Sequence, residues 1–112
     1  MPFLSDQRAV AISSTVENVL ANKFNRVLQA PSKITVAITS ELPEDGFATV
    51  IVGREILIDD QLVPDTNAFP RNPEDILVQT VAAAGEEIIV KVRNADAAAT
   101  NDIRTAVWIQ EI

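Results

Sequence analysis

From Lys33 onward the sequence is a succession of short extended segments separated by turns, and that feature removes most folds. "KITVAITS" alternates Ile34, Val36 and Ile38 against Thr35, Ala37 and Thr39, the two-residue period of a strand with one buried face. "LPEDGF" is a turn, with Pro43, Asp45 and Gly46 at suitable places. "FATVIVG" and "EILIDD" are two strand pieces broken at Gly53, which marks a bulge or tight bend. "VPDTNAFPRNPED" holds three prolines and no period, and is the longest loop. "ILVQTVAA", "IIVKVRN" and "IRTAVWIQEI" are three more strands, joined by "AGEE" and by "ADAAATND". Strands joined by turns rather than by helices cannot form a parallel βαβ sheet. The expectation is an antiparallel β-sandwich or jelly-roll-like barrel of six or more strands.

The N-terminal third reads differently. In "SSTVENVLANKFNRVLQAP", Val16, Val19, Leu20, Phe24, Val27 and Leu28 recur at steps of three and four, the stripe of an amphipathic helix. Ser14 with Glu17 fits a capping box, and Pro31 is a stop. The spacing predicts a helix over 14–29. The competing reading makes "NRVLQA" a short strand, because β-branched residues and asparagines weaken a helix. Residues 1–13 are then an N-terminal arm, 33–112 the sandwich, and 1–112 a single domain.

The last two strands carry apolar residues on both faces: Ile88, Ile89, Val90 and Val92, then Ala106, Val107, Trp108 and Ile109. One face packs the core; the helix or a second chain covers the other. Trp108, between Val107 and Ile109, is expected in the core rather than on a binding platform.

Composition excludes much chemistry. The 112 residues include no cysteine, histidine or tyrosine. Disulfides, thiol catalysis and cysteine-ligated zinc are therefore out, and so are the usual base near neutral pH and the commonest metal ligand. No phosphate loop, GxGxxG or GxSxG is present. No catalytic residue and no cofactor are expected, and the chain is not read as an enzyme. Asp59, Asp60, Asp65, Glu74 and Asp75 lie within seventeen residues and could offer hard oxygen ligands to calcium. Their spacing is not that of an EF-hand, and solvated loop acids are the plainer reading.

Charge is unevenly spread. Residues 1–40 carry Asp6 and Glu17 against Arg8, Lys23, Arg26 and Lys33, net +2. Residues 41–87 carry eleven acids against Arg54 and Arg71, net −9. An acidic middle repels phosphate backbones, so nucleic acid is not an expected partner. No run reaches the about 20 apolar residues of a membrane helix, and "MPFLSDQRAV" lacks the basic lead of a secretory signal, so no membrane is expected and the cytosol is the default. Phe3 and Leu4 either cap the sandwich or dock on a neighbouring subunit, with Arg8 adding charge pairing.

The stretch "IIVKVRNADAAATNDIRTAVWIQEI" resembles the C-terminal hairpin of small β-sandwich structural proteins of viruses, especially capsid-associated proteins of tailed phages. "VGREILIDDQLVPDTNAFPRNPEDIL" likewise resembles their long inter-sheet loops. The resemblance covers about residues 33–112 and rests on style rather than on a diagnostic motif. It implies a capsid decoration or cement protein, or a small coat subunit, located in the virion and assembled in the host cytoplasm. It also implies a homo-oligomer, trimer or dimer, with a major capsid protein as further partner. The N-terminal third lies outside the resemblance; Phe3, Leu4 and Arg8 are the expected partner contact there from their apolar and basic character. The alternative is a ligand-binding sandwich for carbohydrate or calcium, using the acidic proline-rich stretch 59–75.

Overall fold

The computed structural model describes residues 3–23, 26–42, 45–66, 70 and 75–112. Eight strands follow one another: β1 (Phe3–Val10), β2 (Thr15–Val16), β3 (Ser32–Ser40), β4 (Gly46–Val52), β5 (Glu55–Leu62), β6 (Ile76–Ala82), β7 (Ile88–Asn94) and β8 (Asn101–Glu111). They form two four-stranded antiparallel sheets. Sheet A has the order β1-β8-β3-β6 and sheet B the order β2-β7-β4-β5. Four of the ladders obey one rule: β1 pairs β8, β2 pairs β7, β3 pairs β6 and β4 pairs β5. That is the pattern of one long hairpin wrapped around a core.

The core lies between the sheets and follows the two-residue period. Ile34, Val36 and Ile38 of β3 face Val50, Val90 and Val92 of sheet B, all at 1% exposure or less. Burying each of these side chains contributes about 1.5–3 kcal/mol. β8 is a central, largely buried strand. It is paired on both sides, by β1 from Phe3↔Trp108 to Val10↔Asn101 and by β3 from Ser32↔Glu111 to Ser40↔Ile103. Ile103, Val107 and Ile109 point into the core. Gly46 sits where the chain enters β4, and a Cβ there would lie 2.5 Å from Ser40 Cβ, so only glycine fits.

Two asparagines hold the β7–β8 connection. Asn94 is fully buried; its Nδ2 donates to the carbonyls of Val10, Ala11 and Ala99, and its Oδ1 accepts from Asp96 N. Asn101 donates to Ser40 Oγ at 2.7 Å and accepts from Leu42 N. The "NADAAATN" stretch is thus tied at one end to the end of β1 and at the other to the end of β3 and the turn that follows it.

Three expectations are corrected. No helix occupies 14–29 among the described residues; Phe24 and Asn25 lie outside them. The segment runs along the open side of β7 as an irregular edge. Thr15 and Val16 pair with Arg93 and Val92, Val19 N donates to Val90 O, Val27 bridges Glu87, and Leu28 N donates to Glu86 O. Its side chains compete with a helix for the backbone. Asn18 Oδ1 accepts from Leu20 N and Val90 N, a local bond that turns the chain instead. The spacing of Val19, Leu20 and Leu28 reflects a chain that dips into the core twice, not a helical stripe. Second, the stretch read as an N-terminal arm contributes β1, the edge strand of sheet A. Third, Trp108 is outside the core. It alternates with Val107 and Ile109 to the outer face and packs against Phe3, ring centroids 5.4 Å apart and ring planes tilted by 46°.

The β1 edge is closed from within. Asp6 and Arg8 share the face of β1 that carries Leu4 and Val10, and Arg8 grips Asp6 through Nε at 2.7 Å and Nη2 at 2.8 Å. Arg8 also donates to Val19 O on the sheet B side. Inward-pointing charges on an edge strand oppose pairing with another chain.

Candidate functional site

The outer face of sheet B carries a cluster of polar and charged side chains. Its first cross-strand row is Thr15, Arg93 and Phe47, from β2, β7 and β4. The next pairs Lys91 with Thr49. Opposite Thr49 the β4–β5 register shifts between Ala48 and Val50, so β5 has an extra residue there. In a regular strand Asp59 and Asp60 would face opposite sides of the sheet. The bulge, with Asp60 in the left-handed region at φ 49°, turns both toward one open cleft of about 230 Å³.

The cleft is internally braced. Asp60 N donates to Thr49 Oγ1 at 2.8 Å, which fixes the bulge. Arg93 donates to both Asp60 oxygens, Nε at 3.0 Å and Nη2 at 2.9 Å, while its guanidinium lies 4.3 Å over the Phe47 ring. This bidentate grip holds the Asp60 carboxyl below the usual aspartate range, and Asp60 in turn raises Arg93. Lys91 reaches Glu17 only loosely, at 3.6 Å. Asp59 is exposed and has no hydrogen-bond partner among the described residues. The lining therefore offers one free carboxylate, one loosely held ammonium, threonine hydroxyls and an aromatic ring, with its two acids balanced by two bases.

The sequence-predicted site residues are scattered. Leu4 is buried in the core, and Arg8 is engaged with Asp6 and Val19, so both act inside the subunit. Phe3 is exposed, at 47%, on the outer face of sheet A, and the Arg8 side chain remains about a third exposed beside its ion pair. The acidic stretch 59–75 is not one loop. Asp59 and Asp60 belong to β5, Asp65 makes a parallel bridge to Ser40, Asp75 is buried, and Glu74 lies outside the described residues. Among the described residues no three carboxylates converge as a metal ligand set. Sequence reasoning missed Thr15, Phe47, Thr49, Lys91 and Arg93. The available signal was the adjacent acidic pair Asp59-Asp60 in a strand-like run, which an unbulged strand cannot place on one face.

Among the described residues, no helix is long and apolar enough to cross a membrane. Compared with known proteins, no family model matches the chain, no curated protein matches it, and no solved structure matches its fold.

Proposed function

We propose that the chain is a jelly-roll structural subunit of a virus particle, a capsid decoration, cement or small coat protein that works through contacts with copies of itself and with a capsid protein. The observation that carries this reading is the strand order. The pairings β1–β8, β2–β7, β3–β6 and β4–β5 wrapped into two sheets are the connectivity of an eight-stranded jelly roll, a fold that recurs in viral capsid domains. The likeness of fold is an analogy, and function rests on the contacts the surface can make.

The surface favours one end of sheet A for those contacts. Phe3 and Trp108 pack together there, and Val81 is 64% exposed in the adjoining Val81–Lys33–Gln110 row. Lys33 is the one charge among these side chains, in a chain of net charge −7. The β5 edge, with Glu55, Asp59 and Asp60, would repel its own copy; the Phe3 end would not. We therefore assign the contact between copies to the Phe3–Trp108–Val81 surface, with the acidic side turned to solvent.

The test is solution mass by light scattering, with occupancy on particles where a host capsid is in hand. A dimer or trimer is expected at micromolar concentration, and Val81→Asp, at an exposed position, is expected to dissociate it without lowering the melting temperature by more than a few degrees. A wild-type monomer that also fails to occupy particles overturns the proposal.

A further inference from the structure

The sheet B cleft is independent of the Phe3 surface and lies on the opposite sheet. A wall of stacked Arg93 and Phe47 fixed by a bidentate ion pair, with a bulge pinned by Thr49 Oγ1, is preformed in the free chain. A non-glycine residue held at positive φ costs free energy, and such residues persist where surrounding structure enforces them. Here the enforcement places two consecutive carboxylates on one face.

The lining discriminates between ligand classes. An anion would meet Asp59 and the field of a chain with net charge −7, and Arg93 is already satisfied by Asp60. A metal cation would find one free carboxylate, Asp59, because Asp60 is held by Arg93. A large apolar ligand would have to strip water from four charged side chains. A neutral molecule rich in hydroxyls suffers none of these penalties. Its hydroxyls can donate to the free Asp59 carboxylate and accept from Lys91 and Thr15, and its C–H face can rest against the half-buried Phe47 ring carbons that line the cleft. The cleft volume of about 230 Å³ is below the about 300–1,000 Å³ of pockets for drug-sized ligands, which suits one ring.

We propose that this cleft binds a single neutral saccharide unit, with Asp59 and Lys91 as the principal hydrogen-bonding groups and the Arg93–Phe47 stack as the supporting wall. The affinity is weak for one copy and is multiplied when several copies are held together.

The experiment is amide chemical-shift mapping on the full chain. The probes are methyl glycosides of neutral hexoses and N-acetylhexosamines as single units, and neutral linear trisaccharides as chain ends. Inorganic phosphate and calcium chloride are run as separate probes. Saturable shifts confined to Phe47, Thr49, Asp59, Asp60, Lys91 and Arg93 are expected with at least one saccharide. Shifts with the single units assign a free sugar, and shifts with the trisaccharides alone assign a glycan chain. Asp59→Ala, at an exposed position with no partner among the described residues, is expected to keep the melting temperature and weaken binding about tenfold. The proposal is overturned if no saccharide shifts the cleft, if phosphate or calcium shifts it and saccharides do not, or if Asp59→Ala binds as the wild type does. A change in oligomeric state of Val81→Asp bears on the subunit reading and leaves the cleft result readable.

Discussion

The two sheets share a core yet treat their outer faces in opposite ways. In sheet A the outward positions at the middle of the central strands are themselves buried. Ala37, Thr39 and Ala106 are at 0% exposure, and Arg104 donates to Thr66 O of the chain that follows β5. In sheet B the outward positions of β4 and β7, Phe47, Thr49, Lys91 and Arg93, remain partly open and hold each other through charge and stacking. Sheet A is regular along β8, with unbroken pairing on both sides. Sheet B breaks register twice between β4 and β5. A strand enclosed on both faces leaves little room for variation, because every side-chain change alters packing. A face braced by polar contacts at the surface can change residues without touching the core. Packing constraint is concentrated in sheet A, and the open, polar-braced face belongs to sheet B.

The largest effect should come from β8. Deleting residues 108–112 removes Ile109 from the core and the pairing that β8 gives to Ser32–Thr35. Loss of the cooperative thermal transition is expected by calorimetry. Ile56→Ser or Leu62→Ser on the exposed edge β5, at positions 59% and 45% exposed, should each shift stability by less than about 1 kcal/mol. Equal damage from the β5 variants would erase the distinction between the sheets.

A smaller effect sharpens it from inside sheet A. Thr105 is fully buried on the core side of β8, and its hydroxyl has no hydrogen-bond partner among the described residues. Thr105→Val keeps the shape, removes an unsatisfied group and retains a β-branched strand former. A stability gain of about 1 kcal/mol by denaturant titration is expected. A loss would mean that the hydroxyl is satisfied in solution.

Much of this division was legible in the sequence, and the illegible parts have physical causes. Strands β3 to β8 follow from period-two alternation and turn residues, since their inward positions are apolar. β1 is hidden because its inward set, Leu4, Asp6, Arg8 and Val10, contains an ion pair where the pattern requires hydrocarbon. β2 is two residues long and carries no period. The helix rests on a spacing that an irregular edge segment can also produce, while the asparagines and β-branched residues carry the contrary signal. The cleft draws on four strands and a register shift, so no local window contains it.

The smallest effect concerns protons and belongs to sheet B. Asp60 titrates below the usual aspartate value of about 3.9, chiefly because Arg93 hydrogen-bonds its ionised form. A carboxyl whose folded value is depressed binds protons more readily when unfolded. Its contribution to stability is therefore fully present above the unfolded value and is lost as pH falls through the folded one. Because the pair is exposed, water and salt screen it, and the contribution is small. Asp96 behaves in the same direction, since Oδ1 accepts from Ala98 N at 2.7 Å and Ala99 N at 2.9 Å. Asp60→Asn and Asp96→Asn should thus each melt slightly below the wild type near neutral pH, and the differences should shrink as acid brings the wild type below about pH 4. Salt should narrow the Asp60 gap more than the Asp96 gap, because the first is a surface ion pair and the second a carboxylate held by backbone amides. A gap for Asp60→Asn that is independent of pH would show that the Asp60–Arg93 pair does not form in solution, and the preformed wall of the cleft would fall with it.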